Sequence, residues 1–333
     1  MKKLKIPVII FIIISGLYFL LYHFNSPKSS GNSSSLFIVK HGEDVKSIAL
    51  NLVDEGYIRS DFFFVTLVRL SRKTRSIKSG QYNLEDKMKN TDILRILSRG
   101  IVATIKFTVP EGYNIKQIAE LLESRGIISS GDFLDACSSA DLLDRYKIPF
   151  ENAEGFLFPD TYIISKDLKA HQIAEVMIKK FFENLHNISY IDYTQQDLKK
   201  TIIIASLVER EARLEEERPI IAAVFYNRLQ KGKRLESCAT VQYVLGKTKE
   251  RLLFSDLKVN SLYNTYIHSG LPPGPIANPG ISSLNAAINP ADVDFLFFVS
   301  KRDGSHYFSS TYKEHLNAIL KYSISGRVGH QVS

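Results

Sequence analysis

The feature that most constrains the fold is an internal repeat. Val39, Gly42, Val45, Ile48, Ala49, Gly56, Ile58 and Phe63 recur 70 residues later as Val109, Gly112, Ile115, Ile118, Ala119, Gly126, Ile128 and Phe133. Each copy predicts a short strand, a glycine turn, an amphipathic helix stopped by glycine, then a second turn and helix start. Asn114 and Gln117 have the spacing of an N-cap and its capping-box partner. Two copies do not make a solenoid, so the rest of the chain must supply other packing. Between the copies, Arg69–Lys78 carries five basic residues and reads as a solvated face or a lipid-headgroup contact. Ser79-Gly80-Gln81-Tyr82 turns into a strand, and Thr91–Gly100 predicts a helix capped by Thr91 and stopped by Gly100.

The strand–helix–helix grammar resembles LysM-type modules, a likeness that implies affinity for N-acetylglucosamine polymers. Two related packing units without sugar contact satisfy the same pattern. After the second copy, the aromatic stretch from Glu154 to Tyr162 fits either a core strand interrupted by a turn or a sugar-binding wall. Gln172–Leu185 has the period of a helix.

The N-terminus sets the compartment. Lys2, Lys3 and Lys5 precede an apolar run from Ile6 to Phe24 that carries no Asp, Glu, Lys or Arg. As a helix this run rises roughly 28 Å, about the thickness of a bilayer core. The flanking lysines predict a single-pass anchor in the cell (inner) membrane, with the N-terminus cytoplasmic and the remainder extracytoplasmic. A cleavable signal peptide is the competing reading, but the run is long for one and no small-x-small site follows closely. Asn25–Ser35 then reads as a polar linker. The net charge of +8 would thus face envelope polymers or lipid headgroups, not nucleic acid. Apolar content of 44% and charged content of 23% exclude disorder for most of the chain. Cys137 and Cys238 are the only cysteines; they can pair on the oxidising side or stay independent thiols. Zinc-ligand spacing is absent, and His306 and His315 lack an accompanying carboxylate pattern.

The C-terminal third carries the chemistry. Thr201–Glu217 predicts a helix that begins apolar and ends as a block of charge, with Glu209 at the join. Ile202, Ala205 and Ala212 share its face, so its carboxylate should lose solvation and gain proton affinity. Arg213 at i+4 offers the bland alternative, a surface ion pair. Pro219 starts a second helix through Gln230, ended by Gly232. Leu235–Leu245 follows, then the loop Tyr263–Gly280, which three glycines and four prolines stiffen. Asp294–Ser300, the Asp303-Gly304 turn and His306–Ser309 predict a hairpin, and Lys313–Tyr322 a closing helix.

ASLVEREA at 205–212, VFYNRL at 224–229, TVQYVLG at 240–246 and YNTY-x3-GLPPGPI-x-NPG at 263–280 occur in that order. Together they resemble the endolytic murein transglycosylase family, of the MltG or YceG-like type. The resemblance spans nearly the whole chain. It implies an α+β protein with an N-terminal transmembrane helix, LysM-like modules and a mixed α+β catalytic domain. It also implies a lytic transglycosylase that cuts nascent peptidoglycan strands internally between N-acetylmuramic acid and N-acetylglucosamine, leaving 1,6-anhydro-N-acetylmuramyl ends. Glu209 would be the catalytic acid/base. Asn227, Thr240, Gln242, Tyr263, Asn264, Tyr266, Pro272 and Gly274 would bind substrate. Family members commonly carry an acid and a proline before TVQY; here Ser237-Cys238-Ala239 offers neither.

Read this way, 1–25 is the cytoplasmic tip and anchor, 26–35 the linker and 36–104 a LysM-like module. Residues 105–195 are the second repeat with a connecting part of the catalytic region, and 196–333 the catalytic core. Glu211 cannot join Glu209 as a carboxylate pair, because two residues on a helix turn side chains about 200° apart. A single-carboxylate mechanism removes the difficulty: Glu209 protonates the glycosidic oxygen, then takes the proton of the muramyl C6 hydroxyl as that oxygen closes on C1. It needs no metal or cofactor. Expected partners are the glycan strands, the bilayer through 6–24 and peptidoglycan synthases. A non-catalytic glycan-binding scaffold and a two-carboxylate hydrolase, with a partner such as Asp256, remain open alternatives.

Overall fold

The computed structural model describes residues 5–28, 34–40, 42–74, 76–101, 103–188, 195–247, 249, 252–301 and 303–323. It is a mixed α+β protein of helices and three two-stranded sheets. The chain divides into two compact units, one formed by 1–106 with 163–168 and the other by 107–162 with 169–333.

The first unit contains α1 (Lys5–Asn25), β1 (Ser34–Val39), α2 (Val45–Asp54), α3 (Asp61–Leu70), β2 (Gly80–Glu85) and α4 (Asn90–Arg99). β1 and β2 are antiparallel, with Phe37 opposite Tyr82. Both side chains are fully buried with Ile48 and Leu52 of α2 and Phe64 of α3. The Asp44 carboxylate caps α2 by accepting from the N–H groups of Lys46 and Ser47. α4 ends at the left-handed Gly100 as expected, but Thr91 is not its cap. The helix starts one residue earlier, and the Thr91 N–H donates to Asn25 Oδ1 at 3.2 Å. In α1 side chains are described from Phe11 onward; Phe11–Ile14 and Leu17–Tyr22 are largely exposed. Among the described residues no helix is long and apolar enough to cross a membrane. The strand β1 already begins within the expected linker, and residues 29–33 of that linker lie outside the described residues, as do Arg75 of the basic stretch and Arg302 of the predicted hairpin.

β3 (Thr104–Thr108) and β4 (Thr161–Ser165) pair with each other. The repeat is physical: β1 and β3 correspond at the same 70-residue offset, and α5 (Ile115–Ser124) reproduces α2 residue for residue. Asn114 and Gln117 form the reciprocal capping box. α6 (Ser130–Cys137) and α7 (Ala140–Arg145) complete the second copy. The aromatic stretch that follows is core: Phe156 and Leu157 are fully buried, and the Phe156 ring centre lies 4.8 Å from that of Phe181. It is strand only from Thr161.

The second unit is built around α9 (Gln195–Glu211), preceded by α8 (Ala170–Ile188). Ile202, Ile203, Ile204, Ala205, Leu207 and Val208 are all 0% exposed, so α9 is apolar around its whole circumference and must run through the core. α10 (Arg218–Gln230), α11 (Cys238–Leu245) and α12 (Ile281–Ile288) pack against it. α9 is as long as its sequence pattern implies but starts and ends six residues earlier, at Gln195 and Glu211. A 3-10 turn at Glu215–Glu217 and Pro219 in the first turn of α10 separate the two helices. This break turns Glu217 inward, where it accepts from the His306 N–H at 2.8 Å and meets His306 Nδ1 at 2.6 Å. The hairpin β5 (Phe297–Ser300) and β6 (His306–Ser309) then pairs Phe297 with Ser309, and α13 (Tyr312–Ser323) closes the chain.

Candidate active site

Glu209 sits two residues before the end of α9, where the buried run meets polar surroundings. Its side chain is only 6% exposed. Oε2 accepts a hydrogen bond from the Gly280 N–H at 3.0 Å and lies 3.4 Å from Arg218 Nη1. The cation beside Glu209 is thus Arg218, at the start of α10, not Arg213. Arg218 Nη1 also donates to the Ser283 hydroxyl, while its buried Nε has no partner among the described residues.

Glu209 is reached by the turn of the second repeat. A Cβ added to Gly112 would stand 3.6 Å from Glu209 Cγ, and Arg210 Nη1 donates to the Gly112 carbonyl at 3.3 Å. This turn is tied to the end of the stiff loop: Gly112 N–H donates to Asn278 O at 3.1 Å and Asn278 N–H to Tyr113 O at 2.9 Å. The Asn278 side chain donates to Tyr113 O and to Glu154 Oε1 and accepts from the Leu157 N–H. These bonds press Glu111 against Gly280, where a Cβ would lie 3.0 Å from Glu111 Cγ and closer still to its carboxyl group. Gly280 has an ordinary φ of −76°, so it is there for space and not for backbone freedom. Glu111 is exposed as a residue, but partial desolvation of its carboxyl where it meets Gly280, and then the charge of Glu209, raise its proton affinity against the pull of Arg218.

Glu154 is the second buried carboxylate, accepting from the Ile115 N–H at the start of α5 and from Asn278. Burial pushes it up to about 8, although the Ile115 and Gly155 N–H groups, Tyr243 and Asn278 all pull it down. Beside it opens a cleft of about 780 Å³ lined by Phe150, Glu151, Lys199, Tyr263, Gly274 and Pro275, among others. A much smaller polar cavity, about 30 Å³, lies among Gly112, Arg210, Gln242 and Tyr243. The Tyr243 and Tyr263 ring centres are 5.1 Å apart, so one aromatic pair borders both spaces.

The sequence-predicted site residues divide. Gln242 lines the small cavity and donates to Lys249 O at 3.3 Å; Tyr263 and Gly274 line the larger cleft, with Pro272 buried in the same loop. Tyr266 stands 3.1 Å through its hydroxyl from Cys238 Sγ. The remaining three serve the framework. Asn227 donates to the Val293 and Phe295 carbonyls, at 2.7 and 3.0 Å. Thr240 is 0% exposed and bonds Ser237 O and Thr265 Oγ1. Asn264, also 0% exposed, donates to Leu257 O and Val259 O. Asp256 does not partner Glu209; Lys249 Nζ binds both its oxygens at 2.7 and 2.8 Å. Glu211 faces another way, accepting from the Ser237 hydroxyl at 2.5 Å and the Ala239 N–H at 3.4 Å, which gives the start of α11 a carboxylate. Cys137 and Cys238 are not joined in a disulfide. Among the described residues no group of three or more His, Cys, Asp or Glu is arranged to hold a metal.

Glu111, Arg218, Asn278 and Gly280 escaped the sequence reading as site residues. The signal for Glu111 lay in the repeat itself: where the first copy has Lys40-His41, the second has Pro110-Glu111.

The YceG-like family model matches residues 37–321. The chain belongs to the YceG-like family. It is 33% identical over 307 residues to the endolytic murein transglycosylase of Bacillus subtilis (strain 168), covering 85% of this chain and 83% of that protein. The endolytic murein transglycosylase of Streptococcus pneumoniae serotype 2 (strain D39) is 28% identical over 316 residues, covering 83% of this chain and 56% of its own. The crystal structure of a yceG-like protein from Listeria monocytogenes superimposes with a TM-score of 0.57 at 30% identity, over 86% of this chain and 100% of that one.

Proposed function

We propose that this YceG-like protein is an endolytic lytic transglycosylase of peptidoglycan, with Glu209 as its acid/base. The observation that carries the reading is the setting of Glu209: a nearly buried carboxylate at the end of a core helix, bonded by the Gly280 N–H and beside Arg218. The protonated carboxyl delivers its proton to the glycosidic oxygen between N-acetylmuramic acid and N-acetylglucosamine. The C1–O bond breaks with its electron pair leaving on that oxygen, and the muramyl O6 bonds to C1. The O6 proton passes to the carboxylate, restoring it. The nucleophile belongs to the substrate and acts at high effective concentration. Tyr263, Gly274 and Gln242 line space for sugar, while Asn227, Thr240 and Asn264 hold the loops behind it.

The substrate would be reached from the membrane. The charge-free run Ile6–Phe24 behind three lysines, with exposed apolar side chains from Phe11 to Tyr22, supports an anchor with the catalytic unit outside the cell membrane. The order β1–α2–α3–β2 with an antiparallel strand pair supports the LysM-like reading and glycan contact there. Peptidoglycan synthases are the protein partners this setting implies.

Mass spectrometry of strand ends released from isolated glycans tests the activity. Ends lighter by one water than a reducing end are expected. Reducing ends would replace the lytic reading with a two-carboxylate hydrolase, and uncut strands with a glycan-binding scaffold.

A further inference from the structure

Glu209 has a carboxyl neighbour. Gly280 donates its N–H to Glu209 Oε2 at 3.0 Å, and the other side of the same residue is covered by Glu111, whose carboxyl group lies nearer than 3.0 Å to where a Gly280 Cβ would be. Adding the intervening bonds puts the two carboxyl groups within about 8 Å of each other. Gly112, next in chain to Glu111, packs on the Glu209 side chain itself. Asn278 fixes the approach through its bonds to Tyr113 on one side and Glu154 on the other.

We propose that Glu111 is a positioning residue for the reaction, a second carboxyl group whose charge acts on Glu209 across Gly280. The inference rests on the acid/base reading of Glu209. The charges facing the pair come from each element around it. α9 supplies Glu209 itself and Arg210, whose Nη1 is turned to the Gly112 carbonyl. The 3-10 turn supplies Glu215, which accepts from the Ser282 hydroxyl at 2.8 Å. α10 supplies Arg218, and α12 brings neutral donors, the Gly280 N–H and Ser283. One guanidinium at 3.4 Å from Glu209 therefore faces two carboxyl groups with a third nearby, and two negative charges within about 8 Å repel even though Glu111 itself is exposed to solvent. The raised proton affinity of Glu111, caused by burial and then by Glu209, agrees with this geometry. A negative charge at Glu111 opposes loss of a proton from its neighbour, which favours an acid facing the glycosidic oxygen.

The test compares pH profiles of kcat/KM for anhydro-end formation on isolated glycan strands, using the full chain and its Glu111→Gln and Glu111→Asp variants. Removing the charge at Glu111 should move the basic limb of the profile down by about 1–2 pH units, and Glu111→Asp should restore most of it. A limb within about 0.3 unit of wild type in Glu111→Gln, with the protein folded, overturns the proposal. A second measurement does not depend on turnover: carbon-13 NMR titration of the Glu111 carboxyl should shift down by about one unit in Glu209→Gln, and an unchanged titration also overturns it. If wild type forms no anhydro ends, the acid/base reading fails while the NMR titration still decides whether the two groups are coupled.

Discussion

Replacing Gly280 by alanine separates the chemistry from the fold. The backbone there has φ −76° and ψ 177°, which alanine adopts freely, and the N–H that binds Glu209 is retained. The nearest atoms the new methyl meets belong to the flexible end of Glu111, 3.0 Å from Cγ and closer to the carboxyl. To regain ordinary van der Waals distance the carboxyl must retreat by roughly 1.5 Å, leaving a preferred rotamer at a cost of about 1 kcal/mol. Catalysis is far more sensitive, since a 1 Å misplacement costs on the order of 100-fold. Gly280→Ala should thus lose about 1 kcal/mol in urea unfolding and about 100-fold in the rate of anhydro-end formation. A folded variant within threefold of wild type would refute the reasoning, because Glu111 would then have no part in the reaction. A stability loss above about 3 kcal/mol would refute it differently, by showing that the space is a packing requirement.

Three further outcomes follow from the same packing. Gly155→Ala places a Cβ 2.6 Å from Pro275 Cγ and 2.7 Å from Ile202 Cγ2 at φ +86°, in rigid surroundings; urea unfolding should show a loss of about 3–5 kcal/mol, and a loss under 1 would contradict the close approach of 155 to α9. Glu154 has its carboxyl raised from 4.5 to about 8, so the native state binds the extra proton in that window. Its contribution is present below 4.5 and is lost as pH rises through 8: melting temperature should fall across that range, and Glu154→Gln should flatten the slope, leaving the declines from Glu111 and Glu55, whose carboxyls are also raised. Cys137 is buried and its thiol is pushed far up, while burial raises Cys238 to about 11. Neither should react quickly with a thiol reagent at pH 7.5, both should react after unfolding, and a reductant should leave the melting temperature unchanged; two thiols missing from the unfolded titration would indicate a disulfide.

Much of the fold was legible because local signals and burial agreed. The 70-residue repeat placed β1 with β3 and α2 with α5, and the capping box at Asn114 stands where its spacing put it. The apolar run that begins at Ile202 announced a core helix, and Glu209 stands at its polar end. What the pattern could not show lies in tertiary contacts. Helix α9 stops at Glu211 because Glu217 is needed in the interior by His306, a residue 89 positions away. Asn227, Thr240 and Asn264 have the polar character of ligands for sugar but satisfy loop carbonyls and a buried hydroxyl, as buried polar groups must. Glu111 carried no signal of its own in the sequence. Only the pairing of Gly112 with Asn278, across most of the second unit, brings it to Gly280 and Glu209.

The central claim is that Glu209 is the group that moves the proton. The most direct measurement is the rate of anhydro-end formation on isolated glycan strands by Glu209→Gln, alongside its melting temperature. The amide keeps the shape of the carboxyl and can still accept from Gly280 but cannot donate an acidic proton, so the account predicts a folded protein with no detectable cleavage. Cleavage at the wild-type rate by that variant would contradict it.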